Sequence, residues 1–138
     1  MLLNLIKLCV GSDTPDELME WRRRHRAQGE RVSVVYTRQT PKRADDLLAG
    51  GSLYWVMKGL VLIRQPIIAI ETLEEGARRR CEITLEEVLI RTAPQPRRPF
   101  QGWRYLEAKD APADLPHSEV GEAMSQDLAK ELRELGAW

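Results

Sequence analysis

The run from Gly50 to Thr92 constrains this chain most, because it reads as strand after strand joined by turns too short for a crossover. Ser52 to Lys58 alternates Leu53, Trp55 and Met57 against Ser52, Tyr54, Val56 and Lys58, the period of a strand and not of a helix. Leu60 to Gln65 and Ile67 to Thr72 continue in β-type residues around Pro66, which marks an edge or a bulge. Glu74-Glu75-Gly76 reads as a hairpin turn into Ala77 to Leu85, and Glu86 to Thr92 as one more strand. Gly50 suits the end of a short helix over Ala44, Leu47 and Leu48. Gly51 then lets the chain reverse into the first of these strands without a side-chain clash.

Ahead of this run, Leu2 to Val10 is apolar on both alternating faces apart from Asn4 and Lys7, which suits a central strand. Thr14-Pro15-Asp16-Glu17 is a capping box with proline at the first helical position, and the helix it opens extends to about Gln28. Its apolar stripe is Leu18, Trp21 and His25, while Arg22, Arg23, Arg24 and Arg26 crowd the last turns. There they complement the negative end of the helix dipole or form a phosphate-facing patch. Arg31 to Gln39 reads as a further strand. Ala93 to Pro116 holds five of the eight prolines and reads as an irregular strap, followed by an amphipathic helix from Ser118 to Leu135. The expected organisation is one α+β domain over residues 1–115, a curved, mostly antiparallel sheet or partly closed barrel with two helices in its N-terminal half. An acidic C-terminal helix over 116–138 completes it.

Composition narrows the function classes. An apolar fraction of 43% and a charged fraction of 30% are those of a soluble globular chain, and no apolar run is long enough to cross a bilayer. A cytoplasmic protein with no membrane association is expected. Cys9 and Cys81 have no CxxC spacing and read as reduced, buried thiols. The standard nucleophile, phosphate-loop, zinc and dinucleotide motifs are missing, and His25 and His117 lie far apart, so neither a metal site nor a cofactor is expected. Enzymatic chemistry would rest on Cys9 alone, at the end of a strand before a helix N-terminus.

Formal net charge is zero, yet Glu20 to Arg104 carries 17 Lys and Arg against 10 acids, whereas Tyr105 to Trp138 carries 3 against 8. Arginine outnumbers lysine 16 to 5, which favours planar recognition of phosphate or carboxylate. Five of the eight aromatic residues fall in Lys42 to Gly59 and Arg97 to Leu106. Rings that stack on bases beside cations that track phosphates are the ingredients of single-stranded RNA binding. The residues expected to bind RNA, a nucleotide or another anion are Arg43, Tyr54, Lys58, Arg64, Arg98, Trp103 and Arg104. A protein-interaction or homodimerising role for the C-terminal helix is the alternative.

The strings KRADDLLAGGSLYWVMKG and RRPFQGWRYL, with LIKLCVG near the start and DAPADL at Asp110 to Leu115, resemble a family of small bacterial proteins of unknown function, met mainly in alphaproteobacteria. The resemblance implies a cytoplasmic protein and supplies no catalytic residues. The order of elements also resembles PUA-like barrels, including ASCH-type domains, whose members often bind RNA or modified bases.

Overall fold

The computed structural model describes residues 2–120. Within them the chain runs β1 (Leu3–Leu8), α1 (Pro15–Ala27), β2 (Val34–Thr37), α2 (Ala44–Leu48), β3 (Ser52–Met57), β4 (Leu60–Glu75), β5 (Arg78–Leu85), β6 (Leu89–Pro96), β7 (Trp103–Glu107), a 3-10 turn (Ala108–Asp110) and β8 (Asp114–Val120). The strands form one eight-stranded sheet in the order β2-β5-β4-β3-β1-β7, with β6 beside the first half of β4 and β8 beside β6. All pairings are antiparallel except β1 with β3. The expected α+β class stands. The sheet is open, however, and not a closed barrel: its two ends, β2 and β7, do not pair.

β1 and β3 are central and buried on both faces, so each presents apolar side chains both ways. On one face Leu3, Leu5 and Leu53 join Leu47, Ile67, Ile83 and Leu85, with Val35, Trp55 and Trp103 packed against them. On the other, Ile6, Tyr54 and Val56 join Val61 and Leu106, covered by Phe100 and Ala111. Each fully buried aliphatic side chain contributes roughly 1.5–3 kcal/mol. Two such layers on one short strand pair make it the spine of the molecule.

Gly51 is the corner that sets this spine. Its amide donates to Leu47 O at 2.8 Å and its carbonyl accepts from Ile67 N at 3.0 Å. A Cβ there would stand 2.0 Å from the carbonyl oxygen of Leu3, so glycine is required by close approach.

Several expectations are corrected. Lys58, expected to end the strand from Ser52, instead has positive φ (52°) like Gly59 (80°), and the two form a two-residue hairpin turn between β3 and β4. Pro66 stands beside a bulge, as its place in the run indicates. β4 runs through it unbroken and shifts register between Ile67 and Ala69, passing from β3 and β6 to β5 as its partner. The proline-rich stretch is not an irregular strap: it contains the end of β6, all of β7 and the start of β8, because the prolines fall at strand ends and edges. β8 runs from Asp114 to Val120, with Glu119 and Val120 paired to Ile90 and Leu89 of β6, where the start of a helix was expected. The rest of the expected C-terminal helix lies outside the described residues.

The stripe of α1 is also different. Thr14 caps the helix through its side chain and Pro15 begins it, as the sequence indicates. But Trp21 is 36% exposed, and the side chain buried beneath the helix is Arg22. The inward row is Pro15, Leu18, Met19 and Arg22, spacings that one helical face shares.

Candidate functional site

The two unpaired ends of the sheet come together without forming a ladder. The indole Nε1–H of Trp103, the first residue of β7, donates to the carbonyl of Gln39, two residues beyond β2, at 2.9 Å. The sheet therefore curls until its ends meet along a seam. Recesses of about 580 Å³ and 650 Å³ flank that contact, and both are walled by Arg38, Gln39 and Trp103. The first adds Lys42, Arg79 and Tyr105; the second adds Lys7, Tyr36 and Arg104. Five cationic and three aromatic residues thus line the seam, Arg104 with its guanidinium turned toward Phe100 on the other side of β7, and no acidic residue does so among the described residues.

Strand register explains the clustering. In β7, Trp103 and Tyr105 point to the same side, and their rings meet edge to face at 4.9 Å. Lys7 of β1 is paired across to Trp103 on one side and to Trp55 of β3 on the other, so Trp103, Lys7 and Trp55 form a row on one face of three strands. Arg43 reaches the same place from the α2 N-terminus. Its amide donates to Tyr105 Oη at 3.2 Å and its guanidinium lies 5.9 Å from the Tyr105 ring centroid, while its Nε pairs with Asp46 at 3.0 Å. Arg80 covers the Tyr36 ring at 4.3 Å.

Of the residues singled out from sequence, Trp103 and Arg104 line the seam and Arg43 borders it. The other four stand elsewhere. Tyr54 is 7% exposed within the second core layer, and burial raises its pKa. Arg64 is a strut: Nε and Nη2 donate to Asp114 at 2.9 and 2.8 Å and Nη1 to Ser52 Oγ at 2.7 Å. That hydrogen bonding is the main reason the Asp114 carboxyl is held below its usual pKa. Lys58 occupies the β3–β4 turn and Arg98 is exposed between β6 and β7. Arg38 and Tyr36 were missed. They lie in or just after β2, and only knowing that β2 and β7 end on the same seam would have joined them to Trp103.

A third recess lies under α1. It measures about 290 Å³ and is walled by Lys7, Leu8 and Cys9 of the β1 end, Leu18, Trp21 and Arg22 of α1, Val34 to Tyr36 of β2, and Trp55 and Gln65. The Arg22 guanidinium donates from Nη2 to Ser33 Oγ at 3.2 Å and to Glu87 O at 2.5 Å. Burial, and then the neighbouring Arg26, lower its pKa, with Glu87 opposing. Cys9 is half-buried, and burial pushes its thiol up to about 11, so at neutral pH it is a thiol and not a thiolate. That environment does not suit nucleophilic work. Of the other arginines of α1, Arg23 pairs with Glu20 and Arg26 with Glu87, so the helix does not present a continuous cationic patch.

Among the described residues no group of three His, Cys, Asp or Glu side chains is placed to hold a metal ion, and no helix is long and apolar enough to cross a membrane. No curated protein and no solved structure matches the chain. A family model described as "Protein of unknown function (DUF1489)" matches residues 5–138, nearly the whole chain, and the protein belongs to that family.

Proposed function

We propose that the seam between β2 and β7 binds single-stranded RNA, with Trp103 and Tyr105 stacking on bases and Lys7, Arg38, Lys42, Arg79 and Arg104 contacting phosphates. The observation that carries this reading is the pair of contiguous recesses around Trp103, lined by five cations, three rings and no acid among the described residues. Arg38, Lys42 and Lys7 have no ion-pair partner among the described residues, so their charge is available to a ligand. Arg104 sits 5.6 Å from the Phe100 ring, a contact that leaves its guanidinium exposed. Arg43 borders the site and orients Tyr105.

The test is fluorescence anisotropy of the full chain with a labelled oligouridylate over a fourfold range of salt. Five phosphate contacts give a slope of about −3.5 in log affinity against log salt, a loss of roughly 100-fold over that range. An R38E/R104E double variant should abolish the binding, and Trp103→Phe should preserve most of it. Absence of binding at the lowest salt, or full binding by the double variant, would overturn the proposal.

A further inference from the structure

We propose that the recess under α1 is a separate binding site for a small carboxylate with an aromatic or branched apolar body, held by Arg22. Arg22 is 2% exposed, and its contacts are to a serine hydroxyl and a backbone carbonyl, both neutral. Its Nε and Nη1 are buried and meet no acceptor among the described residues. Glu87, the acid whose charge reaches it, forms its ion pair with Arg26 at 3.2 Å. A buried guanidinium whose acidic neighbour is already paired with a second arginine is poorly compensated, and buried donors left unpaired add to that cost. If Arg22 were needed only to fasten α1 to the sheet, a Met or Leu in the Pro15-Leu18-Met19 stripe would do so without that penalty.

A carboxylate answers each of these deficits. It supplies one negative charge and two acceptor oxygens, and arginine favours planar anions of this kind. The rest of the recess describes the ligand's body. Leu8, Leu18, Val34, Val35 and Trp55 give it apolar walls, and Gln65 is already occupied, donating to Glu86 O at 2.8 Å and accepting from Trp55 Nε1 at 2.9 Å. At about 290 Å³ the space is at the small end of ligand pockets, which run roughly 300–1,000 Å³. It opens to solvent where Val10, Trp21 and Tyr36 are exposed. A single buried cation matches a monoanion better than a phosphate dianion.

Binding can be followed in the full chain through quenching of Trp21 and Trp55 emission and by calorimetry, with benzoate as the probe and benzamide, phenyl phosphate and inorganic phosphate as comparisons. Benzoate should bind saturably and at least tenfold more tightly than each of the other three. Arg22→Met should lose benzoate at least tenfold without lowering the melting temperature of the ligand-free protein, and Arg22→Lys should bind at an intermediate level. Equal binding of benzamide, or no binding of benzoate, would overturn the proposal, and both comparisons are made in the unaltered chain should Arg22→Met fail to fold. Tighter binding of phenyl phosphate would overturn the carboxylate assignment, and tighter binding of inorganic phosphate would overturn the apolar body. The R38E/R104E variant should keep its benzoate affinity, so failure here is distinct from failure of the RNA reading.

Discussion

Replacing Gly51 by alanine probes the corner on which both sites depend. The added Cβ would lie 2.0 Å from Leu3 O and 2.7 Å from Leu47 O, whereas ordinary contact begins at 3.4 Å. The difference, 3.4 less 2.0, means that β1 and the α2–β3 corner must separate by about 1.4 Å. Both neighbours are backbone, so no side chain can rotate away. A shift of that size stretches the Gly51–Leu47 and Ile67–Gly51 hydrogen bonds, now 2.8 and 3.0 Å, beyond useful length. Two backbone bonds at about 1 kcal/mol each, added to about 1–3 kcal/mol for overpacking, give a loss of about 3–5 kcal/mol. With a urea dependence of about 2 kcal/mol per molar, the unfolding midpoint read by tryptophan emission should fall by about 2 M. Gly76→Ala is the control: φ is positive there but nothing lies within 4 Å, so its cost is about 1 kcal/mol. If Gly51→Ala were no worse than Gly76→Ala, the close approach would not be what holds glycine at this corner.

Lys58→Asn should stabilise the protein by about 0.5–1 kcal/mol in the same assay, because asparagine tolerates the left-handed φ that lysine is held in at the hairpin turn; it should leave RNA affinity unchanged if the site is the seam. Cys9 should resist iodoacetamide at neutral pH and react as pH approaches about 11. Its raised folded-state pKa means that the unfolded chain loses this proton first, near the ordinary thiol value of about 8.5. The Cys9 contribution to stability is therefore complete below that value and is lost as pH rises through about 11, a decline that Cys9→Ser should remove.

Which parts of this were legible in the sequence follows from the range of the interactions involved. The side-chain cap of Thr14 and the hairpin at Gly76 are local, and each is found where the residues indicate, whereas Gly51 is required by the long-range approach of Leu3 O. Alternation in β3 was legible too, but it does not say which face is exposed when both are covered: Tyr54 is buried as deeply as its neighbours. Proline is a poor guide in Ala93 to Pro116, since a strand at a sheet edge loses little by lacking an N–H. Arg22 was hidden for a different reason. It completes the apolar row of α1 at the correct spacing, and a charged residue in that place is set aside when hydrophobic stripes are read. The signal that would have found it is an arginine in phase with Pro15, Leu18 and Met19.

The open seam has a competing explanation, because an exposed sheet edge must be protected from pairing with a second copy, and cations are a common guard. A guard needs charge along the edge but has no use for aromatic rings between the charges, which would make the edge more adhesive. Here Trp103 and Tyr105 stand on the edge strand itself, and Tyr105 is held by the backbone amide of Arg43, so the rings are positioned by the same elements that bring the cations. The Trp103 indole is half-buried and uses its only donor on Gln39, which fixes the ring between the two recesses. A ring so fixed loses little freedom when a planar ligand stacks on it. The physical case for a binding face therefore rests on the order imposed on the aromatic side chains more than on the number of charges around them.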